Sequence, residues 1–101
     1  MLHVAFDNGG AFDLTAEYLR VESPSAEVQG HSPSEKKTIP GKQNVAIREI
    51  HPTGNYAVRL VFDDGHSTGI YSWSYLHELG EQHGPKWRDY LAKLKAAGLA
   101  R

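Results

Sequence analysis

The sequence predicts one α+β domain: a small antiparallel β-sheet, made of an N-terminal hairpin plus a three-strand meander, with helices packed on one face. Three observations carry that expectation. An Asn8-Gly9-Gly10 turn separates two short apolar runs, residues 56–62 alternate between turn signals, and apolar residues recur at helical spacing after Ser72. The 101 residues leave room for a single core, since two would each fall near the lower limit of a self-supporting fold.

Taken in order, 1–21 reads as hairpin and short helix. Leu2 to Phe6 and Ala11 to Leu14 flank the glycine turn. Thr15 then caps a helix over Ala16 to Val21, with Tyr18, Leu19 and Val21 facing inward. Residues 22–43 form a polar loop, because Pro24, Pro33 and Pro40 recur too often for a helix or a central strand. A loop of roughly twenty residues in a small domain is functional or mobile. The meander occupies 44–71. Its strands are Asn44 to Ile50, Tyr56 to Phe62 and His66 to Tyr71, with turns at His51 to Asn55 and at Asp63-Asp64-Gly65. Tyr56, Val58, Leu60 and Phe62 share one face of the middle strand. Helices fill 72–98. Ser72 caps Trp73 to Leu79, which Gly80 ends. Pro85 sits in the first turn of a second helix, with Trp87, Tyr90, Leu91, Leu94 and Ala97 on its apolar stripe and Gly98 as its stop.

Composition narrows the function classes. Lysine plus arginine (11) nearly balances aspartate plus glutamate (12), which removes the basic footprint of a nucleic-acid-binding protein. Lys36, Lys37 and Lys42 give the loop a basic flavour, but three lysines beside Glu35 attract polyanions only weakly. The longest apolar runs are too short to span a membrane or to form a signal peptide, so a cytoplasmic location is expected. Zero cysteine excludes disulfides, thiol catalysis and zinc–thiolate sites from this chain, whereas six histidines leave metal and acid–base chemistry open.

The sharpest local feature is Asp63-Asp64-Gly65-His66. Two carboxylates beside an imidazole suit a metal or a proton transfer, yet Asp-Gly is also what a tight hairpin demands. His31 and His66 make the best pair for a divalent ion, iron or zinc, with Glu27, Asp63 or Asp64 as third ligand if the loop folds over the meander. His51, His77 and His83 fall at turns or helix ends and need only solvent or a capping role. Ser23-Pro24-Ser25 and Ser32-Pro33-Ser34 read as local turns and lack the strand–turn–helix setting of a serine nucleophile. No oriented triad or phosphate loop is legible. Among Tyr71, Trp73, Tyr75 and Trp87 most are expected in the core, with Trp73 or Tyr75 left exposed because helix neighbours cannot both face inward.

Two blocks carry a family resemblance. One is Leu19-Arg20, Ser23-Pro24-Ser25-Ala26-Glu27 and Gly30-His31. The other is Gly54-Asn55-Tyr56-Ala57, Phe62-Asp63-Asp64-Gly65-His66 and Thr68-Gly69-Ile70-Tyr71-Ser72-Trp73, with Leu76. Together they resemble the gamma-butyrobetaine hydroxylase-like N-terminal domain family, from about Leu2 to Gly80. The resemblance implies no hydroxylase activity, since that chemistry belongs to a separate, far longer iron- and 2-oxoglutarate-dependent domain. It also implies a structural zinc held by three cysteines and a histidine. In this register the cysteine positions read Ser23, Ser25 and Val28, and the histidine is His66, so the zinc site is expected to be missing. Similar domains fused to scaffold proteins of iron–sulfur assembly imply an accessory role near metal-cofactor maturation.

The expected function is a non-catalytic binding or accessory module whose partner is another protein. Its expected surface joins Arg20, Ser23, Ser25, Glu27 and His31 to Asp64, His66, Tyr71 and Trp73. A histidine–carboxylate metal protein built on His31 and His66 is the alternative, and a small enzyme comes third. No cofactor is expected beyond that divalent ion.

Overall fold

A computed structural model of the chain describes residues 1–7 and 9–101. The class is α+β as expected, and its strands are divided between two antiparallel sheets. Strands β1 (Leu2–Ala5) and β2 (Ala11–Leu14) pair with Leu2 opposite Leu14 and Ala5 opposite Ala11. Asn8, at the expected centre of their turn, lies outside the described residues. The second sheet contains β3 (Ile47–Thr53), β4 (Ala57–Phe62) and β5 (Ile70–Ser72), with β4 in the middle.

Helix α1 (Ala16–Val21) is capped by Thr15, whose hydroxyl accepts from the Tyr18 N–H at 3.1 Å. Helix α3 (Trp73–Glu81) is capped in the same way by Ser72, and α4 (His83–Ala96) follows after a single residue. Gly98 stops α4. Its N–H bonds the Lys95 carbonyl and that of Leu99 bonds Leu94, the paired closure of a Schellman motif. The main core lies between the sheets, α1 and α3, and its fully buried members include Leu14, Tyr18, Leu19, Leu60, Phe62, Tyr71, Leu76 and Leu79. A smaller cluster of Val21, Tyr90 and Leu94 seats α4 on α1.

Several expected boundaries move, each for a physical reason. The third strand starts at Ile47 and runs through His51 and Pro52, placed in the sequence reading within a turn. It is an edge strand, where a proline costs no ladder bond on its solvent side. Tyr56 is not on the inner face of β4: it precedes the strand and is 61% exposed. The last strand begins at Ile70 rather than His66. The His66 and Gly69 carbonyls still accept from Phe62 and Leu60 of β4, but residues 66–69 form no continuous ladder, and their side chains and backbone pack against the 22–29 segment. Gly80 does not end α3. It lies inside the helix, where the Phe12 ring of β2 presses on the backbone, and a Cβ there would sit 2.3 Å from Phe12 Cγ. The polar stretch 22–43 is not featureless. It holds α2 (Ala26–Gln29) and a 3-10 turn at Pro33–Glu35, and the Lys37 N–H bonds the Val28 carbonyl at 2.7 Å.

The buried tyrosines fasten elements together through their hydroxyls, as amphipathic side chains in a core must. Tyr18 donates to Leu79 at 2.7 Å, Tyr71 to Leu19 at 2.5 Å, Tyr90 to Ile39 at 2.6 Å, and Tyr75 to the Glu22 carbonyl. Burial is the main cause that pushes the Tyr18, Tyr71 and Tyr75 phenols well above their usual range and raises that of Tyr90 as well. Two buried carboxylates, Glu17 in the first turn of α1 and Glu22 at its C-cap, are both paired. Glu17 takes a two-pronged bond from Arg101, and Glu22 one from Lys36.

Candidate functional site

The two sequence blocks meet where the end of α1, the turn before α2 and the β4–β5 turn converge. Ser25 is the N-cap of α2, its hydroxyl accepting from the Glu27 N–H at 3.1 Å. That cap places Glu27 on the first turn of α2, within reach of His66. The His66 ring is almost fully buried, with Nε2 2.8 Å from Ser23 Oγ and Nδ1 3.0 Å from Glu27 Oε2.

Burial lowers the His66 pKa, and the nearby Arg20 charge adds to it. Together they outweigh the opposing pull of Glu27 and Asp64. The imidazole is therefore neutral near pH 7 and carries one ring proton. A carboxylate only accepts, which assigns that proton to Nδ1, facing Glu27. Nε2 must then accept the Ser23 hydroxyl proton. The chain closes on itself. Ser23 Oγ accepts from the Ser25 N–H at 3.3 Å, Ser25 donates to Thr68 Oγ1 at 2.7 Å, and Thr68 donates to Glu27 Oε2 at 3.1 Å.

Beside this network stands an ionic one. Asp64 Oδ2 receives both Arg20 Nε and Lys42 Nζ at 2.7 Å, while Oδ1 accepts the His66 N–H at 3.0 Å. Partial burial opposes ionisation of Asp64. The bonds from Lys42, the His66 backbone and Arg20 outweigh it and hold the carboxyl well below the usual range. Asp63 accepts from the Ala46 N–H, so both turn aspartates serve the fold.

Serine, histidine and carboxylate in this order are the arrangement of a hydrolase triad. The sequence reading did not anticipate it, since the partners lie 43 residues apart. Its geometry nevertheless gives no substrate access. Ser23 is 0% exposed, and the Gly69 backbone lies so close that a Cβ there would be 2.5 Å from its Oγ. The two larger surface grooves, of about 620 and 500 Å³, are lined by neither Ser23 nor His66.

A zinc ion does not fit these residues either. Ser23 and Ser25 offer hydroxyls already committed to the network, Val28 is buried without a donor atom, and both His66 nitrogens are occupied. Among the described residues no group of three or more histidines or carboxylates is placed to hold a metal. The expected His31–His66 set is not assembled. His31 is exposed beyond α2, its backbone N–H donating to Glu35 at 2.6 Å.

Of the expected contact surface, Ser23, Ser25, His66 and Tyr71 are interior, and the side chains of Arg20 and Asp64 are mostly covered. These side chains are consumed in joining α1 and the 22–29 segment to the sheet. Glu27, His31 and Trp73 do reach solvent. Between the two helix neighbours, Trp73 is the one exposed, and Tyr75 turns inward. The residue that sequence reasoning left without a role is Thr68, whose hydroxyl links Ser25 to Glu27. Its place inside the second block was the available signal.

Fold and site define a small α+β domain whose two sequence blocks meet in a hydrogen-bonded circuit around buried His66, beside an ionic cluster on Asp64. The chain belongs to the gamma-butyrobetaine hydroxylase-like, N-terminal family, whose model matches residues 1–77. It is similar to a protein solved in solution by NMR, with 52% identity over 98% of this chain and 74% of that one (TM-score 0.83). A second NMR structure shares 46% identity over 98% and 77% of the two chains (TM-score 0.81). A crystal structure of a DUF971-family protein of unknown function from Acidithiobacillus ferrooxidans ATCC 23270 is 41% identical over 77% of this chain and 76% of that one (TM-score 0.63). No functionally curated protein matches the chain. Among the described residues, no helix is long and apolar enough to cross a membrane.

Proposed function

We propose that the chain is a non-catalytic accessory module that binds another protein through the aromatic end of its β4–β5 ribbon. The carrying observation is the exposed pair Tyr56 and Trp73, 61% and 41% accessible, at the mouth of that ribbon. The Trp73 indole N–H donates to the Asn55 carbonyl at 2.9 Å, and its backbone N–H to Tyr56 at 3.0 Å. Those bonds hold a large aromatic ring at the surface in one orientation, so little rotamer entropy is lost when a partner covers it. Trp73 also borders a shallow depression of about 330 Å³ with Phe6, Ser74 and His77. Aromatic anchors of this kind carry most of the energy at protein interfaces. The near-zero net charge favours a protein partner over a nucleic acid. The tie to metal-cofactor or iron–sulfur protein maturation rests on the company similar domains keep, and it names the class to which the partner belongs.

A photo-crosslinking residue at Tyr56 tests this reading in cells that make the protein, with the same residue at exposed Leu91 on α4 as control. A discrete adduct from position 56, absent from position 91 and lost on Trp73→Ser, is expected. Equal labelling at both positions, or an adduct indifferent to Trp73→Ser in a folded protein, overturns it.

A further inference from the structure

We infer that the closed circuit Ser23–His66–Glu27–Thr68–Ser25 is a metal-free clasp that fixes the 22–30 segment to the β4–β5 turn, where the resemblance would place zinc. The residues present disagree with the implied ion. Serine hydroxyls are poor ligands near neutral pH because they stay protonated, and Val28 contributes no donor. Yet every polar atom that zinc would have organised is already organised. Each hydroxyl in the circuit donates once, to His66 Nε2, Thr68 or Glu27, and the one ring proton goes to the carboxylate. The assignment is consistent around the ring with no leftover donor.

The clasp spans the gap that backbone pairing leaves. Among the described residues the strand ladders join only β1 to β2, β3 to β4 and β4 to β5, so side chains must tie the 22–30 segment to the second sheet. The Ser23–His66 and Ser25–Thr68 bonds each close a sequence separation of 43 residues, and Thr68–Glu27 closes 41. Closing loops of that length is the work for which a metal or a disulfide is otherwise used. Gly69 completes the fit: its bare Cα lets the strand settle on Ser23 and on Pro24, with no room for a side chain. One charged member, Glu27, is largely exposed, so the circuit has a solvated end and a dry one.

The test uses the full chain without a polyhistidine tag. Melting is followed with EDTA and with added zinc, and amide exchange is followed residue by residue in wild type, Ser23→Ala and Thr68→Val. Expected are a melting temperature unmoved by chelator or zinc and faster exchange at residues 24–30 than in α4 of either variant. The melting point should also fall by about 4–8 °C per substitution. Thr68→Val preserves shape and serves if Ser23→Ala does not fold. Loss of stability on chelation, a rise with zinc, or unchanged exchange at 24–30 in Thr68→Val overturns the inference.

Discussion

Gly80→Ala is the substitution whose sign depends most directly on the packing of α3 against β2. At an exposed position inside a helix, replacing glycine by alanine stabilises by about 1 kcal/mol, because alanine loses less backbone entropy. Were Gly80 only a helix stop, the change would strain a left-handed residue. It is neither. A Cβ at position 80 would stand 2.3 Å from Phe12 Cγ and 2.5 Å from both Cδ atoms. These atoms are at the root of the ring, so a small rotation cannot clear them. The ring is hemmed in by Phe6 at 6.2 Å and His77 at 5.6 Å between centroids. Forcing a methyl into such a contact costs about 1–3 kcal/mol. Set against the helix gain, the net is about 0–2 kcal/mol of destabilisation. In a Phe12→Ala background the obstacle is gone, and the same substitution should stabilise by about 1 kcal/mol. Urea unfolding of the four proteins gives the coupling energy directly. A sign that stays the same in both backgrounds would show that Phe12 does not constrain α3.

Three further outcomes follow from the polar groups. His66 is held neutral in the folded state, whereas in the unfolded chain its imidazole takes a proton near pH 6.5. Below that pH the unfolded state binds more protons, so stability falls as pH decreases until the lower folded pKa is reached. Unfolding midpoints at about pH 7.5 and about pH 5.5 should separate for wild type and converge for His66→Gln, and equal slopes would refute the assignment. Asp64 acts lower on the scale: its depressed carboxyl contributes stability above the ordinary aspartate range and loses it as pH falls through and below about 3.9. Tyr71→Phe removes the hydroxyl that satisfies the Leu19 carbonyl and should cost about 1–3 kcal/mol. Tyr56→Phe, at the surface, should cost less than about 0.5 kcal/mol, and equal losses in thermal melts would contradict the burial pattern.

Local signals found the fold where local chemistry decides it. The Thr15 and Ser72 caps and the inner positions Val58, Leu60 and Phe62 lie where propensity and periodicity place them. The strand limits of β3 and β5 were less legible, because each is set by a distant partner: the edge position that tolerates Pro52, and the 22–29 segment against which residues 66–69 pack. Helix α2 carried a signal, a serine cap before Ala-Glu, but proline density hid it. At the site, the same residues stood out in both sequence and structure, and the meaning differed. Arg20, Ser23, His66 and Tyr71 looked like surplus polarity available to a partner, whereas tertiary contacts turn it inward. Ser23 and His66 share no local spacing, so no pattern along the chain announces a bond across 43 residues.

That inversion bears on how distinctive residues in a small domain should be read. With 101 residues and no disulfide, the apolar core alone leaves long segments such as 22–43 weakly held. Polar side chains hold them best where donors and acceptors are matched, because an unmatched buried group costs as much as a good bond returns. The circuit through Ser23 and His66 is matched throughout, whereas Arg20 Nη1 in the neighbouring ionic cluster is buried without a partner among the described residues. Matching is specific, so it produces sharply defined residues: a serine under a glycine, a histidine between serine and glutamate, an aspartate shared by arginine and lysine. Specificity of sequence therefore marks the clasp, while the proposed partner surface needs only an exposed aromatic ring held still. The two can be altered separately. A clasp variant such as Thr68→Val should loosen 24–30 and leave crosslinking from Tyr56 intact, and Trp73→Ser should do the reverse.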